Sequence, residues 1–436
     1  MTRTLLSGLV IGAVVGLGLT LGCQPVETVT VETIAPTEPD AGPVAAVPPE
    51  DLKALVEANN NFAIDLYKKL AETEKGNIFF SPYSIHAALS MTYAGARGET
   101  AAQMAKVLGI EKLGDRVHPA HAELARKLKS DGGKDKPEFH VANALWGQKG
   151  LEFRPEFLDL TKRHYGGGFG ELDFRGDRFG SLDTINKWVS DQMREKIPKL
   201  IDEEDLPSGT KLVLTNAVYF KGMWAEPFAK KQTIDDKFWL APDKSMTVPM
   251  IRRSATSGYF AGDGMKMVLL AYQGKKQSMA VIVPDDIDGL PVVERKLFGG
   301  QLRQWLEGRS VAEVNLLMPK FQVKMHLDIV GYLKALGMRR PFETGADFSA
   351  ISDRAELGFN KVIHGAVAEV DEEGTVAAAA TAIVMRAQGS AKPPRPVTIR
   401  ADRPFLILIL DNELRKVVFA GRVINPDVMR VDSRAP

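Results

Sequence analysis

Glu369-Val-Asp-Glu-Glu-Gly-Thr-Val-Ala-Ala-Ala-Ala-Thr381 runs on through Ala-Ile-Val-Met-Arg-Ala-Gln-Gly-Ser390 into the proline-rich Ala391-Lys-Pro-Pro-Arg-Pro396. Its local signals conflict. Alanine is the best helix former, so Ala377 to Ala380 favour a helix. Gly374 marks a pliable backbone point, whereas Thr375, Val376, Thr381, Ile383 and Val384 are β-branched and favour extended geometry. Pro393, Pro394 and Pro396 exclude a buried central strand beyond them. A long stretch with no settled structure of its own is usually either functional or disordered, and the rest of the chain has to say which.

Working outward, the 436 residues are 44% hydrophobic and 25% charged. That supports a sizeable core and argues against wholesale disorder; by length one large domain or two to three ordinary ones would fit. The formal net charge of +1 supplies none of the basic excess that nucleic acid or an anionic membrane surface would require.

At the N-terminus, Arg3 precedes an uncharged run from Thr4 to Gly22 that reads as an export signal. Cys23, the single cysteine of the chain, follows at once. This position resembles a bacterial lipoprotein signal, residues 1–23, in which the cysteine is lipidated after cleavage. Thr20 stands where a leucine is expected, between Leu19 and Leu21. The alternative is an uncleaved anchor, since the run is near the roughly 20 residues that span a bilayer. Either way the body is expected to be exported, to the periplasmic or outer face of a cell envelope or into the medium, with no cysteine left for a disulfide. Residues 24–50 are rich in Pro, Thr, Val and Glu and read as a solvated tether. A body over 51–427 and a tail over 428–436 complete the division.

Within the body, Leu52, Leu55, Val56, Phe62, Leu66 and Leu70 fall near helical spacing and predict a helix of about five turns. Ser81 is a candidate N-cap with Pro82 as the first helical residue. A helix over Thr100 to Leu108 should stop at Gly109. Asn186 and Trp188 lie in another helical pattern ending near Pro198. Lys211 to Phe220, Met279 to Pro284, Val314 to Met318, Phe405 to Leu410 and Lys416 to Val423 read as buried strands. Helices dominate the first third and strands the last, without regular alternation, which is an α+β pattern.

Catalytic signatures are missing. The nucleophile elbow G-x-S-x-G does not occur. His118 and His121 have no Cys or second His pair near them and read as a surface pair rather than a metal site. Gly166-Gly-Gly-Phe-Gly170 lacks the P-loop ending and the dinucleotide spacing, so it reads as a flexible turn. His364 reads as part of a core hydrogen-bond network. No metal and no cofactor are expected.

Four ordered stretches nevertheless resemble the serpins. They are Asn77-Ile-Phe-Phe-Ser-Pro-Tyr-Ser-Ile85; Thr215-Asn-Ala-Val-Tyr-Phe-Lys-Gly-Met-Trp224; Phe359-Asn-Lys-Val-Ile-His-Gly-Ala-Val-Ala-Glu-Val-Asp-Glu-Glu-Gly-Thr375; and Ala401-Asp-Arg-Pro-Phe-Leu406 with Phe419-Ala-Gly-Arg-Val-Ile-Asn-Pro426. The resemblance spans roughly Leu52 to Pro426. It implies an α+β serpin fold of three β-sheets and eight to nine helices, with an exposed reactive-centre loop at about 372–397. It also implies an endopeptidase inhibitor rather than an enzyme. A serine or cysteine protease cuts the loop, and the freed segment enters the main sheet as a strand and traps the acyl-enzyme. The expected partners are that protease and, through Cys23, a membrane; a monomer is expected.

The same resemblance assigns residues. The hinge is Glu372, Gly374, Thr375, Val376, Ala377, Ala378, Ala379, Ala380 and Thr381. Strand alternation puts Thr375, Ala377, Ala379 and Thr381 on one face and Val376, Ala378 and Ala380 on the other. None is large or charged, which favours an inhibitor over a non-inhibitory serpin acting as a binding or carrier protein. Val376 departs from the family's common Glu. Lys320, Trp224 and Glu372 match the breach at the top of the sheet, and Ser81, Ser84, Asn186 and His364 match the shutter beneath its middle. Counting about sixteen positions from Glu372 puts the scissile bond between Gln388 and Gly389, with Arg386 and Met385 as alternative bait residues.

Overall fold

The structure is a computed structural model that describes residues 46–128, 137–166, 168–353, 357–374 and 396–426. The assignments at Cys23, Thr375 to Thr381, Met385, Arg386, Gln388 and Gly389 lie outside these described residues.

The chain opens with α1 (Pro49–Thr73), β1 (Ile78–Phe80), α2 (Pro82–Tyr93), α3 (Gly98–Leu108) and α4 (Val117–Leu128). Then come β2 (Glu138–Gln148), α5 (Pro155–Tyr165), β3 (Gly168–Leu172), α6 (Arg178–Gln192) and β4 (Leu212–Lys221). The middle is β-rich: β5 (Ile234–Ala241), β6 (Lys244–Gly262), β7 (Met265–Ala271) and β8 (Gln277–Pro284), followed by α7 (Leu290–Phe298) and α8 (Leu302–Glu307). The last third holds β9 (Ser310–Pro319), β10 (Phe321–Asp328), α9 (Val330–Leu336), β11 (Phe359–Val370), β12 (Val397–Arg400), β13 (Phe405–Asp411) and β14 (Lys416–Val423).

Helix ends follow local chemistry. Ser81 caps α2 by accepting from the Ser84 N–H, with Pro82 at the first helical position. Gly109 ends α3 in the left-handed conformation, φ +68°, where a side chain would be strained. The first helix is longer than its apolar stripe predicts. Pro49 starts it, and Glu50 and Asp51 occupy its first turn, where acidic side chains complement the helix dipole.

Among the described residues the strands form two hydrogen-bonded networks, of nine and five strands. The larger is really two lobes sharing β6. The end of β6 from Tyr259 to Gly262 pairs with β7 and so with β8, β13, β14 and β1, while its earlier part pairs with β5 and β9, and β9 with β12. The expectation of three sheets corresponds to splitting this network at β6. Nine α-helices are present among the described residues.

The five-stranded sheet, in the order β10, β11, β4, β2, β3, lies between two hydrophobic cores. Along β4, Leu212, Leu214, Val218 and Phe220 belong to the larger core, and Val213, Ala217 and Tyr219 to a smaller one that includes Ile185, Trp188 and Val189 of α6. Both faces of the strand are therefore buried. That explains its unbroken apolar reading.

Two expectations fail here. His118 and His121 are buried, not a surface pair, because the i, i+3 spacing turns both rings toward α2 and α5. Gly166 does end α5 in a left-handed turn, but Gly168 and Gly170 are strand residues of β3. A Cβ at Gly170 would lie 2.5 Å from the ring of Trp146, and one at Gly168 3.1 Å from that of Trp188. These glycines make room for tryptophans.

Candidate functional site

The seam between β11 and β4 is the central feature of the five-stranded sheet. The two strands run parallel, in register from Val362 opposite Leu214 to Val367 opposite Tyr219. The conflicted stretch of sequence leaves the end of β11 at Val370 and meets a polar mouth made by the ends of β10, β11 and β4.

At the mouth, Glu372 is buried and takes an ion pair from Lys320 Nζ at 2.9 Å. Its other oxygen accepts the Thr233 hydroxyl at 2.6 Å. Burial pushes the Glu372 carboxyl up, but the hydrogen bonds from Thr233 and Lys320 outweigh it and hold the group below its usual range. The backbone is fastened as well. Phe228 N–H donates to the Glu372 carbonyl at 2.7 Å and Trp224 N–H to that of Glu373 at 3.0 Å, while the Trp224 indole donates to Asp371 O at 3.0 Å. Trp224 is held in turn by stacking on Tyr272, with ring centres 4.7 Å apart.

Gly374 is the last described residue before the loop, and it already forms an antiparallel bridge with Met223, beyond the end of β4. Its φ is +134°, and a Cβ there would stand 2.2 Å from the Gly222 carbonyl oxygen. Only glycine fits so close to the neighbouring backbone.

A second group of contacts lies below the mouth. His364 of β11 sits opposite Asn216 of β4. Ser81 N–H donates to His364 Nε2 at 3.2 Å. That nitrogen is therefore the acceptor, and the proton sits on Nδ1, donated to Asn216 Oδ1. The Asn216 amide then donates to Ser84 Oγ and to Asn143 Oδ1, and Ser81 Oγ donates to Val418 O of β14 at 2.8 Å. Burial, with a smaller contribution from His326, lowers the His364 pKa to about 3. The ring is neutral, and this clasp across the seam contains no charge.

The structure thus brings together Glu372, Lys320 and Trp224 at the mouth, and Ser81, Ser84 and His364 at the clasp. Asn186 is not with them. It sits on α6, where its side-chain oxygen accepts from Leu200 and Ile201 N–H and its amide donates to Ile201 O. The asparagine of the clasp is Asn216, which lies inside the quoted run Thr215-Asn-Ala-Val-Tyr-Phe220 and, in the fold, one strand over from His364. Thr233, Phe228 and Asn143 were also missed, because no local pattern marks a residue whose partner is more than seventy positions away.

Comparison with known proteins agrees with this geometry. The serpin (serine protease inhibitor) family model matches residues 57–426. Leukocyte elastase inhibitor of Bos taurus is 37% identical over 384 residues, covering 86% of this chain and 100% of that protein. Among solved structures, serpin48 of the insect Tenebrio molitor superposes with a TM-score of 0.77 at 27% identity, covering 87% of this chain and 100% of the other. Human thyroxine-binding globulin does so with a TM-score of 0.78 at 28% identity, covering 86% and 99%.

Proposed function

The chain belongs to the serpin family, and from that premise we propose that it is a suicide-substrate inhibitor of serine endopeptidases, with cysteine endopeptidases as the second target class. The loop after Gly374 is the bait, cut between Gln388 and Gly389, with Arg386 and Met385 as the alternative bait residues. The observation that carries the reading is the seam. A segment that turned back at Gly374 would run antiparallel to both β11 and β4, so insertion would replace one parallel pairing by two antiparallel ones, which are slightly more stable per residue. The Gly374 bridge to Met223 has the antiparallel sense that such a pairing needs.

The inserted side chains would alternate between the two cores that face the seam. Thr375, Ala377, Ala379 and Thr381 on one face and Val376, Ala378 and Ala380 on the other are small enough to enter. The test is a panel of serine and cysteine proteases mixed with the intact protein. A complex that survives SDS is expected with at least one; cleaved product alone across the panel overturns the reading. The likeness to human thyroxine-binding globulin favours a second reading, a non-inhibitory binding or carrier protein. In that case cutting the loop leaves the melting temperature unchanged, whereas insertion raises it.

We also propose that the protein is exported and held at a membrane by lipid on Cys23, as a monomer. Cys23→Ser should then shift it from the membrane fraction to the soluble one, and continued membrane association would exclude lipidation.

A further inference from the structure

A connected set of bases fills the junction of α2, α4, α5 and β14, outside the site described above. His86 Nε2 lies 2.9 Å from the Leu108 carbonyl oxygen, which can only accept, so Nε2 carries the proton and Nδ1 is a bare lone pair. His121 Nε2 faces that lone pair at 3.1 Å and is therefore the donor. This leaves His121 Nδ1 bare in turn, with no hydrogen-bond partner among the described residues. Ser90 Oγ bridges the two rings, 3.2 Å from His121 Nε2 and 3.4 Å from His86 Nδ1.

The chain of contacts continues outward. The His121 ring packs on Tyr165 with centres 5.6 Å apart, the Tyr165 hydroxyl is 2.7 Å from His118 Nδ1, and His118 faces His164 at 6.5 Å. On the inner side Lys416 of β14 is wholly buried, 3.4 Å from the centre of the Tyr83 ring, and its Nζ meets no hydrogen-bond partner among the described residues. The charge on Lys416 acts on His86 and His121 and lowers both. Asp411, itself pushed up by burial, acts on Lys416, and Asp115 acts on His118; the cation Arg163 acts on His164. Burial lowers His86 and His118 to about 4, and His121 and Lys416 well below their usual ranges. In the closed junction His86, His118 and His121 are neutral.

Two elements tie the junction to the seam. Helix α2 carries Ser81 at its cap and Ser84 in its first turn, both in the clasp, and His86 two residues further on. Strand β14 carries Lys416 in the junction and, two residues on, Val418, whose carbonyl accepts from Ser81. Both elements therefore carry residues of the junction and residues in contact with the clasp between β11 and β4.

We propose that this base cluster is an acid-sensing latch: proton uptake by its histidines lifts α4 from α2 and β14, loosens the clasp, and lets the uncleaved loop enter the seam. The proposal rests on the reading of the chain as a loop-inserting serpin. Its first test is hydrogen exchange of the intact protein between pH 7.5 and 4.5, followed by mass spectrometry and corrected for the intrinsic rate. Exchange of the 117–128 amides should rise about tenfold per pH unit below about pH 6.5 for each proton taken up on opening, and His121→Gln should lower that dependence by about one proton. Where His121→Gln does not fold, His118→Gln serves the same purpose. A pH dependence at 117–128 no steeper than at 290–298 overturns the sensor.

The second test is incubation at pH 5 followed by a melt at pH 7.5. A higher-melting form should accumulate, and more slowly in the variant; opening of α4 without that form overturns the coupling to the seam. A protein that opens and converts but inhibits no protease counts against the proposed function and not against the latch.

Discussion

The mouth and the clasp both close the seam between β11 and β4, but at the mouth the side-chain contacts are ionic and partly exposed, whereas at the clasp they are neutral and buried. Lys320 retains 28% of its side-chain exposure beside Glu372, and Lys230, which pairs with Glu373, retains 69%. At the clasp His364, Asn216, Ser81 and Ser84 retain 1% or less. Salt screens exposed charges and hardly touches a neutral buried network; acid acts the other way, charging a histidine that has no room for the charge. One seam therefore has two closures that respond to different conditions.

The largest effect should come from Thr375→Arg, which carries a charge into the seam at the first inserting position. Burying an unpaired charge costs at least several kcal/mol, so the variant should be cut as a substrate. The ratio of SDS-stable complex to cleaved product measures this, and an unchanged ratio breaks the insertion account.

Acid comes next. The folded pKa of His364, about 3, lies below the ordinary value near 6.5, so the unfolded chain binds the proton first as pH falls. The stability linked to this ring is complete above pH 6.5 and declines through the window down to about pH 3, on the order of 5 kcal/mol in full. His86 and His118, at about 4, add to the decline. Denaturant unfolding at pH 7.5 and pH 4 reads it, and equal stability at both would remove the clasp from the acid-sensitive side of the comparison.

Asn216→Ala should cost about 2 to 4 kcal/mol, because it leaves buried groups of His364, Ser84 and Asn143 without a partner. It should also speed spontaneous conversion to a higher-melting form. Asn186→Ala removes contacts to Leu200 and Ile201 and should destabilise the fold without that acceleration. If the two variants convert at the same rate, the clasp does not govern the seam. The smallest effect is expected for Glu372→Gln. It keeps an acceptor for Thr233 and loses the ion pair with Lys320, a difference of about 1 to 2 kcal/mol. The sensitivity of the conversion rate to salt should fall with it.

Much of this was legible in the sequence, for reasons that differ by element. Strand β14 begins and ends where the apolar run Lys416 to Val423 does, because a strand covered on both faces has no polar alternation to blur its ends. The cap at Ser81 and the stop at Gly109 depend on nearest neighbours and were equally readable. The histidines were not. His118 and His121 carry no local mark of burial, and only the packing of α4 against α2 and α5 places them inside. Nor could spacing separate Asn186 from Asn216, since each is a polar residue in an otherwise apolar pattern; the difference is that β4 lies beside β11, and α6 does not.

What the sequence by itself determined is the set of local commitments: which of the strongly patterned segments are helix or strand, where two helices are capped or stopped, and that Thr375 to Thr381 are small, uncharged side chains with conflicting local preferences. Those properties depend on side-chain size, backbone freedom and near neighbours, all of which travel with the chain. Which residues meet across the seam was decided only by the tertiary structure. Glu372 finds Lys320 and Thr233, and His364 finds Ser81 and Asn216, over separations of 52 to 283 positions that no local periodicity encodes, because strand order and register alone bring them within hydrogen-bond reach.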